Sequence, residues 1–459
     1  MTLQVAWPRP FVAIDLETTG FSEHEDAIIQ IAAVRFEDGK ILDQWQTLVD
    51  PGPVDIPLQI QKLTGISREA VRGQPELSDA LAMMRSWIGE DELVAHNSEF
   101  EQRMLAAALR RCRQPRLANR FFDTLKLSRI ALPHVADHRL STLCDHYGIT
   151  LENAHNAIHD AEATGSLFYE LMSELSRYHP ETLQSVLRFA EFDDSLVPLL
   201  TWARDHALQR YYQEPDSRPV IALSSAVDRP QEPPSRHEPI SDDLKGYMGR
   251  EGSFARYLEH FEPRRQQLQF AEDCLKSLQR GEFLLAEAGT GTGKSLGYLL
   301  PAILHAKRTG ERVAVSTHTI ALQEQIWHKE IPFLHSILPF PFRAKLVKGR
   351  GNYLCLSRWD AVNREPSSNW TMEQRELYAR IPTWLARTET GDRTELNLGW
   401  GFDAAWREIA ADRDLCTGKM CPFSGRCFLL KAKREAEESD LVIVNHALLV
   451  SDFQAGNRV

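Results

Sequence analysis

At 459 residues, with 43% hydrophobic and 25% charged side chains, the chain is too long for one ordinary core and calls for two to four soluble domains. Its formal net charge of −11 excludes a blanket electrostatic grip on nucleic acid but leaves room for a local basic groove. No apolar run approaches the roughly 20 residues that cross a bilayer, and MTLQVAWPRP lacks the basic and apolar regions of a secretory signal, so no membrane contact and a cytoplasmic location are expected.

Residues 11 to about 175 read as alternating strands and helices. Four apolar residues lead into Asp15-Leu16-Glu17, and Thr18-Thr19-Gly20 ends the run. With period 2, Asp15 and Glu17 share a face while Leu16 turns to the core. Two carboxylates side by side repel unless cations lie between them, and hard oxygen ligands suit Mg²⁺ or Mn²⁺. Ala27 to Phe36 and Ile41 to Val49 predict a hairpin around Asp38-Gly39. A short helix and turn cover Ile60 to Ile66, and helical spacing marks Leu77, Ala80, Leu81, Met84 and Ile88. Leu93-Val94-Ala95 is a buried strand delivering His96-Asn97 to a helix with acids at Glu99 and Glu101. A further helix over about 155 to 173 carries His155 and Asp160 at its start.

Phosphodiester hydrolysis with two metal ions needs three or four carboxylates and a base for the water, a task suited to a histidine. Asp15-Leu-Glu17-Thr-Thr-Gly and His155-Asn-Ala-Ile-His-Asp160-Ala, with Leu63-Thr-Gly-Ile66, resemble the DnaQ-type 3′-5′ exonucleases over about residues 8 to 175. The resemblance implies an RNase H-like α/β fold with Asp15, Glu17 and Asp160 as metal ligands. It makes His155 the general base, with His159 the competing candidate. In the second motif, His96-Asn-Ser-Glu-Phe-Glu101 carries Glu101 where the family pattern has Asp. The extra methylene moves the carboxylate by roughly 1.5 Å, beyond the roughly 0.5 Å that catalytic geometry tolerates. Glu99 faces another side of the helix.

Residues 176 to 212 read as a helical extension packed through Leu183, Val186, Leu187, Phe189, Leu199 and Leu200. Residues 213 to 243 are rich in Pro, Ser, Arg and Glu and read as a linker. A helix near Phe261 to Leu278 and a strand at Phe283 to Ala286 are expected next. They lead to Ala288-Gly289-Thr290-Gly291-Thr292-Gly293-Lys294-Ser295. A strand, a glycine-rich loop and a helix in succession form a phosphate cradle, with Lys294 reaching the outer phosphates and Ser295 a Mg²⁺ ion. Val313 to Thr317 is the next parallel strand, and Thr317 to Gln325 leads into a helix.

Seven cysteines are present, and Cys355, Cys416, Cys421 and Cys427 crowd the last quarter. This placement favours metal ligation in a reducing compartment over a disulfide framework, and the spacing admits zinc or iron–sulfur. Cys112, Cys144 and Cys274 are expected as buried thiols. Lys348-Gly-Arg-Gly-Asn-Tyr-Leu-Cys355, Cys421-Pro422 and Leu441-Val-Ile-Val-Asn-His446-Ala-Leu-Leu resemble the XPD/DinG helicases, the DinG branch being nearer. That resemblance implies a RecA-like P-loop lobe over 244–459, a [4Fe–4S] cluster on the four cysteines in an insertion of about 345–430, and Gln267 among the ATP-binding residues. No second Asp-Glu motif or second motor lobe appears before Val459, so ATP binding is expected without translocation.

Two readings result. The first is a Mg²⁺- or Mn²⁺-dependent 3′-5′ exonuclease on single-stranded nucleic acid, DNA foremost, fused to an ATP-binding, iron–sulfur DinG-like lobe in DNA repair or replication. The alternative is a nucleic-acid and nucleotide-binding module whose cleavage Glu101 has impaired.

Overall fold

The computed structural model describes residues 7–152, 154–191, 193–213, 243–257, 262–287, 289, 293–365, 367 and 369–454. It divides into two compact units: 1–225 with 362–388 and 392–408, and 226–361 with 389–391 and 409–459.

In the first unit β1 (Phe11–Thr18) is the middle of a five-stranded sheet. Antiparallel partners β2 (Ile28–Glu37) and β3 (Lys40–Leu48) lie on one side, and parallel β4 (Glu92–Ala95) and β5 (Phe121–Asp123) on the other. The β2–β3 hairpin turns at Asp38 and Gly39, with φ of 51° and 77°, the left-handed pair a tight two-residue turn requires. Helices α1 (Leu58–Thr64), α2 (Arg68–Val71), α3 (Leu77–Ile88), α4 (Ser98–Arg111), α5 (Thr124–Ala131), α6 (Leu140–Tyr147), α7 (Ala157–Leu175), α8 (Pro180–Ala190) and α9 (Val197–Gln213) follow.

Alternation along β1 gives each sheet face its own work. Val12, Ile14 and Leu16 join a buried cluster with Leu81, Met84, Leu105 and Leu109 of α3 and α4. Phe11, on the other face, packs against Phe168 of α7 with ring centroids 4.8 Å apart. Asp15 and Glu17 share Phe11's parity, so they point to the side where α7 begins. The helix lies close on the sheet: a Cβ at Gly165 would sit 2.0 Å from the Phe36 ring.

The second unit holds α10 (Leu244–Met248), α11 (Ser253–Tyr257), α12 (Arg265–Arg280), α13 (Lys294–Thr309), β6 (Val313–Thr317), α14 (Ile320–Gln325), α15 (Ile331–Ile337), β7 (Ala344–Leu346) and most of α16 (Leu356–Arg364). Next in the chain come α17 (Met372–Leu385) and α18 (Asp403–Ile409). After them α19 (Phe428–Glu437), β8 (Leu441–Asn445) and α20 (His446–Gln454) complete the second unit. Its sheet is parallel, in the order β6-β8-β7.

The expected strand at Phe283 to Ala286 is absent. These residues join no ladder, and Phe283 and Leu285 are fully exposed. A strand is fixed by partners for its N–H and C=O groups as much as by an apolar run. The helix expected from Phe261 starts at Arg265, after Pro263, because the residue before proline is driven out of helical geometry. The linker at 214–242 lies outside the described residues, as do Ala288, Thr290, Gly291 and Thr292.

Residues 362–388 and 392–408, expected in the later lobe, cluster with the first unit. A capping box between Thr371 and Gln374 starts α17, and its Leu377, Tyr378, Ile381 and Trp384 are buried. Phe189 of α8 meets Trp370 at 5.1 Å and Tyr378 at 5.8 Å. An aromatic face of this size finds its burial wherever a matching face exists, whatever the distance along the chain. Among the described residues no helix is long and apolar enough to cross a membrane.

Candidate active site

Three carboxylates converge at the end of β1. Asp15, Glu17 and Asp160 each offer an oxygen within 4.8 Å of the others. β1 fixes the first two, and the first turn of α7 supplies the third. Asn156 caps α7 by accepting the Ile158 N–H, and Asp160 Oδ2 accepts the His155 N–H at 3.0 Å. His155 has a φ of 70° and is exposed beside the cluster.

The fourth acid comes from α4. Glu101 is 4% exposed, and among the described residues its buried Oε2 meets no hydrogen-bond partner, as is true of Asp160 Oδ1. Glu99, two residues earlier, is exposed, as the helical spacing predicts. Burial holds the Asp15 carboxyl well above the usual carboxylate range, and Glu101, Asp160 and Glu17 add to the rise by repulsion. Burial and then Asp160 push Glu17 up to about 8. Glu101 is pushed up to about 8, mainly by burial, with Asp123 adding. Burial raises Asp160 too, against the pull of the His155 N–H and the two neighbouring histidines. Three crowded acids, with Glu101 buried in the field of Asp15, form a donor set that fits hard divalent cations.

The loop after β1 is pinned by Asp26, which accepts Thr19 Oγ1–H at 2.9 Å and the Ser22 N–H at 2.8 Å. This leaves Phe21 83% exposed, edge-on to Phe100 at 6.2 Å.

Asp123 escaped the sequence reading. It is 2% exposed, caps α5 by accepting the Leu125 and Lys126 N–H groups, and also accepts from Asn97 N–H and Ser98 Oγ–H. It thereby sets the start of the helix that carries Glu101. The legible trace was an Asp-Thr pair after the apolar Phe121-Phe122, an N-cap signal. His96 is held from both ring nitrogens, by Thr124 Oγ1 and the His138 carbonyl, each at 2.9 Å. Burial lowers its pKa, so it serves as a neutral brace.

In the second unit α13 begins at Lys294, whose Nζ donates to the Gly289 carbonyl at 3.1 Å. Gln267 donates to the Gly293 carbonyl at 2.9 Å, and a Cβ at Gly293 would lie 2.2 Å from that amide. Ser295 is half-buried at the first turn.

All seven cysteines are free. Burial raises the Cys427 thiol, the Leu429 and Leu430 amides pull against that rise, and the Cys355 and Cys416 sulfurs add to it. Among the described residues no three cysteine sulfurs lie within 4.8 Å of one another. Backbone bonds from Cys355 to Ile409 at 2.8 Å and from Ala411 to Tyr353 at 2.8 Å hold the segment at Cys355 in place. Cys144 is buried as expected, whereas Cys112, the C-cap of α4, and Cys274, inside α12, are only partly so.

The family described as Exonuclease matches residues 12–168, and the DEAD/DEAH box helicase family matches residues 266–340. The 3′-5′ exonuclease DinG of Bacillus subtilis (strain 168) is 32% identical over 448 residues, 96% of this chain and 47% of that protein. The protein of that name from Staphylococcus aureus (strain USA300) is 28% identical over 444 residues, with the same coverage of 96% and 47%. The chain thus spans about half the length of the curated relatives it matches. Among solved structures, Exonuclease X in complex with 5′ overhanging duplex DNA shares 25% identity at a TM-score of 0.30, covering 35% of this chain and 90% of that one. Exonuclease I of E. coli in complex with a dT13 oligonucleotide shares 18% at 0.35, covering 39% and 43%.

Proposed function

From a chain homologous along 96% of its length to proteins named 3′-5′ exonuclease DinG, with an exonuclease region ahead of a helicase-type region, we propose a metal-dependent 3′-5′ exonuclease acting on single-stranded DNA, joined to an ATP-binding DinG-like lobe, in repair or replication. The observation that carries this is the gathering of Asp15, Glu17 and Asp160 within 4.8 Å, with Glu101 buried in the field of Asp15. Release of nucleoside 5′-monophosphates on adding Mn²⁺ tests it. Absence of release, or internal cuts, contradicts it.

In this reading Asp15, Glu17 and Asp160 hold the ions and Glu101 completes the set. When bound, the ions supply charge stabilisation at the attacking and leaving oxygens. His155, exposed beside Asp160 and tethered to it through its own N–H, takes the proton of the attacking water on its imidazole. Phe21 offers an exposed aromatic face beside the site, suited to stacking on a terminal base. The likeness to proteins named 3′-5′ exonuclease and the Exonuclease family match argue against the binding-only alternative.

For the second unit we propose ATP held by the 288–295 loop, with Lys294 on the outer phosphates, Ser295 toward Mg²⁺ and Gln267 bracing the loop. Cys355, Cys416, Cys421 and Cys427 are proposed as ligands of a [4Fe–4S] cluster. The crowding of these four cysteines into the last quarter of the chain supports this.

A further inference from the structure

The exonuclease family match ends at residue 168, yet charged groups two hundred residues further on reach the supports of Glu101. Arg129, in the last turn of α5, donates to Glu376 of α17 at 2.9 Å. Glu376 also takes the Arg380 guanidinium, whose side chain is 6% exposed. One carboxylate therefore serves two arginines, and both raise the cost of a charge on the neighbouring His138, whose pKa burial and these cations push down to about 4.

From this cluster two rigid routes lead to the start of α4. Along α5, the N-cap Asp123 holds the Asn97 N–H at 3.3 Å and Ser98 Oγ at 3.2 Å. Through His138, Ser128 meets the Nδ1 ring atom at 3.1 Å, and the backbone carbonyl holds His96 Nε2 at 2.9 Å. Both routes end within five residues of Glu101. The backing is independently anchored. Asn397 donates to the Val135 carbonyl at 2.9 Å, Ser185 to Asn363 at 2.6 Å, and Arg387 pairs with Glu174, which is 7% exposed.

We infer that Glu376, donated from the stretch between Cys355 and Cys416, is a positioning residue of the nuclease: it neutralises Arg129 and Arg380 behind α5 and His138, and thereby sets the placement of Glu101. Without its charge two guanidiniums face each other over a half-buried imidazole, and α5 moves away from α17. A displacement of about 1 Å at a catalytic carboxylate is enough to cost one to two orders of magnitude in rate.

This rests on the exonuclease reading, and the test separates the two. In the full chain, Glu376→Gln and Glu376→Asp are compared with wild type for kcat and KM on a single strand with Mn²⁺, and for amide hydrogen exchange at residues 97–101. Expected for Glu376→Gln are a fall in kcat of about tenfold, KM within about twofold, and exchange at 97–101 faster by about tenfold, with Glu376→Asp restoring all three. Unchanged exchange at 97–101 overturns the inference whether or not the wild type digests DNA. So does a loss of kcat that tracks global unfolding and is not rescued by Glu376→Asp. A wild type that does not digest DNA sinks the exonuclease reading alone, because exchange still reports on the placement.

Discussion

Asp160 Oδ2 accepts the backbone N–H of His155 at 3.0 Å, and the left-handed φ of 70° at His155 closes that contact. The proposed metal-binding acid and the proposed base are thus locked to one turn of chain. Asp160→Asn keeps an acceptor for the N–H but removes a charge from the cluster. Cleavage is expected to fall at least about a hundredfold. In metal-free protein the Tm is expected to rise, because repulsion with Asp15 and Glu17 is relieved. Single-turnover digestion and a melting curve in EDTA check both directions.

The carboxyl cluster makes stability depend on pH in a defined sense. Glu17 and Glu101 move from 4.5 up to about 8, and Asp15 rises as well. The folded, metal-free protein therefore holds more protons than the unfolded chain between these values. The contribution of these groups to its stability is fully present below about pH 4.5 and is lost as pH rises toward about 8. Cation binding needs the carboxylates deprotonated, so metal affinity climbs through the same window. Melting curves at pH 5 and pH 8 are expected to show a Tm drop in EDTA that Mn²⁺ largely removes. A metal-free Tm that is flat or rising from pH 5 to 8 contradicts the burial of these acids.

Lys294 and Gln267 converge on the glycine loop from two helices. Lys294→Ala is expected to weaken nucleotide binding at least about tenfold and to leave DNA digestion in the absence of ATP within about twofold. Gln267→Ala, losing only the loop brace, is expected to cost less. Titration with a fluorescent ATP analogue, beside the digestion assay, reads both.

Protein purified without air is expected to be brown, to absorb at about 400 nm and to carry about four iron atoms per chain. Cys427→Ser removes one of the four proposed ligands and is expected to abolish the colour. A colourless protein with one zinc per chain contradicts the cluster.

The site was legible in the sequence wherever local periodicity decided the outcome. Period 2 put Asp15 and Glu17 on one face, and helical spacing separated buried Glu101 from exposed Glu99. The role of Asp123 was not legible, since its two most telling acceptor contacts reach back more than twenty residues to Asn97 and Ser98. Phe283 to Ala286 was misread because an apolar run says nothing about whether a neighbouring strand exists to pair with it. The place of α17 was beyond reach for the same kind of reason: its aromatic partner Phe189 lies far back in the chain, and amphipathicity names a face without naming what covers it.

The most direct test is digestion of a 5′-labelled single strand with Mn²⁺ or Mg²⁺ by wild type, Asp15→Ala and Glu101→Gln. The account predicts a ladder shortening from the 3′ end with wild type, its abolition in Asp15→Ala, and a rate about a hundredfold lower in Glu101→Gln. A wild type that leaves the strand intact, or a ladder that survives Asp15→Ala at full rate, contradicts it.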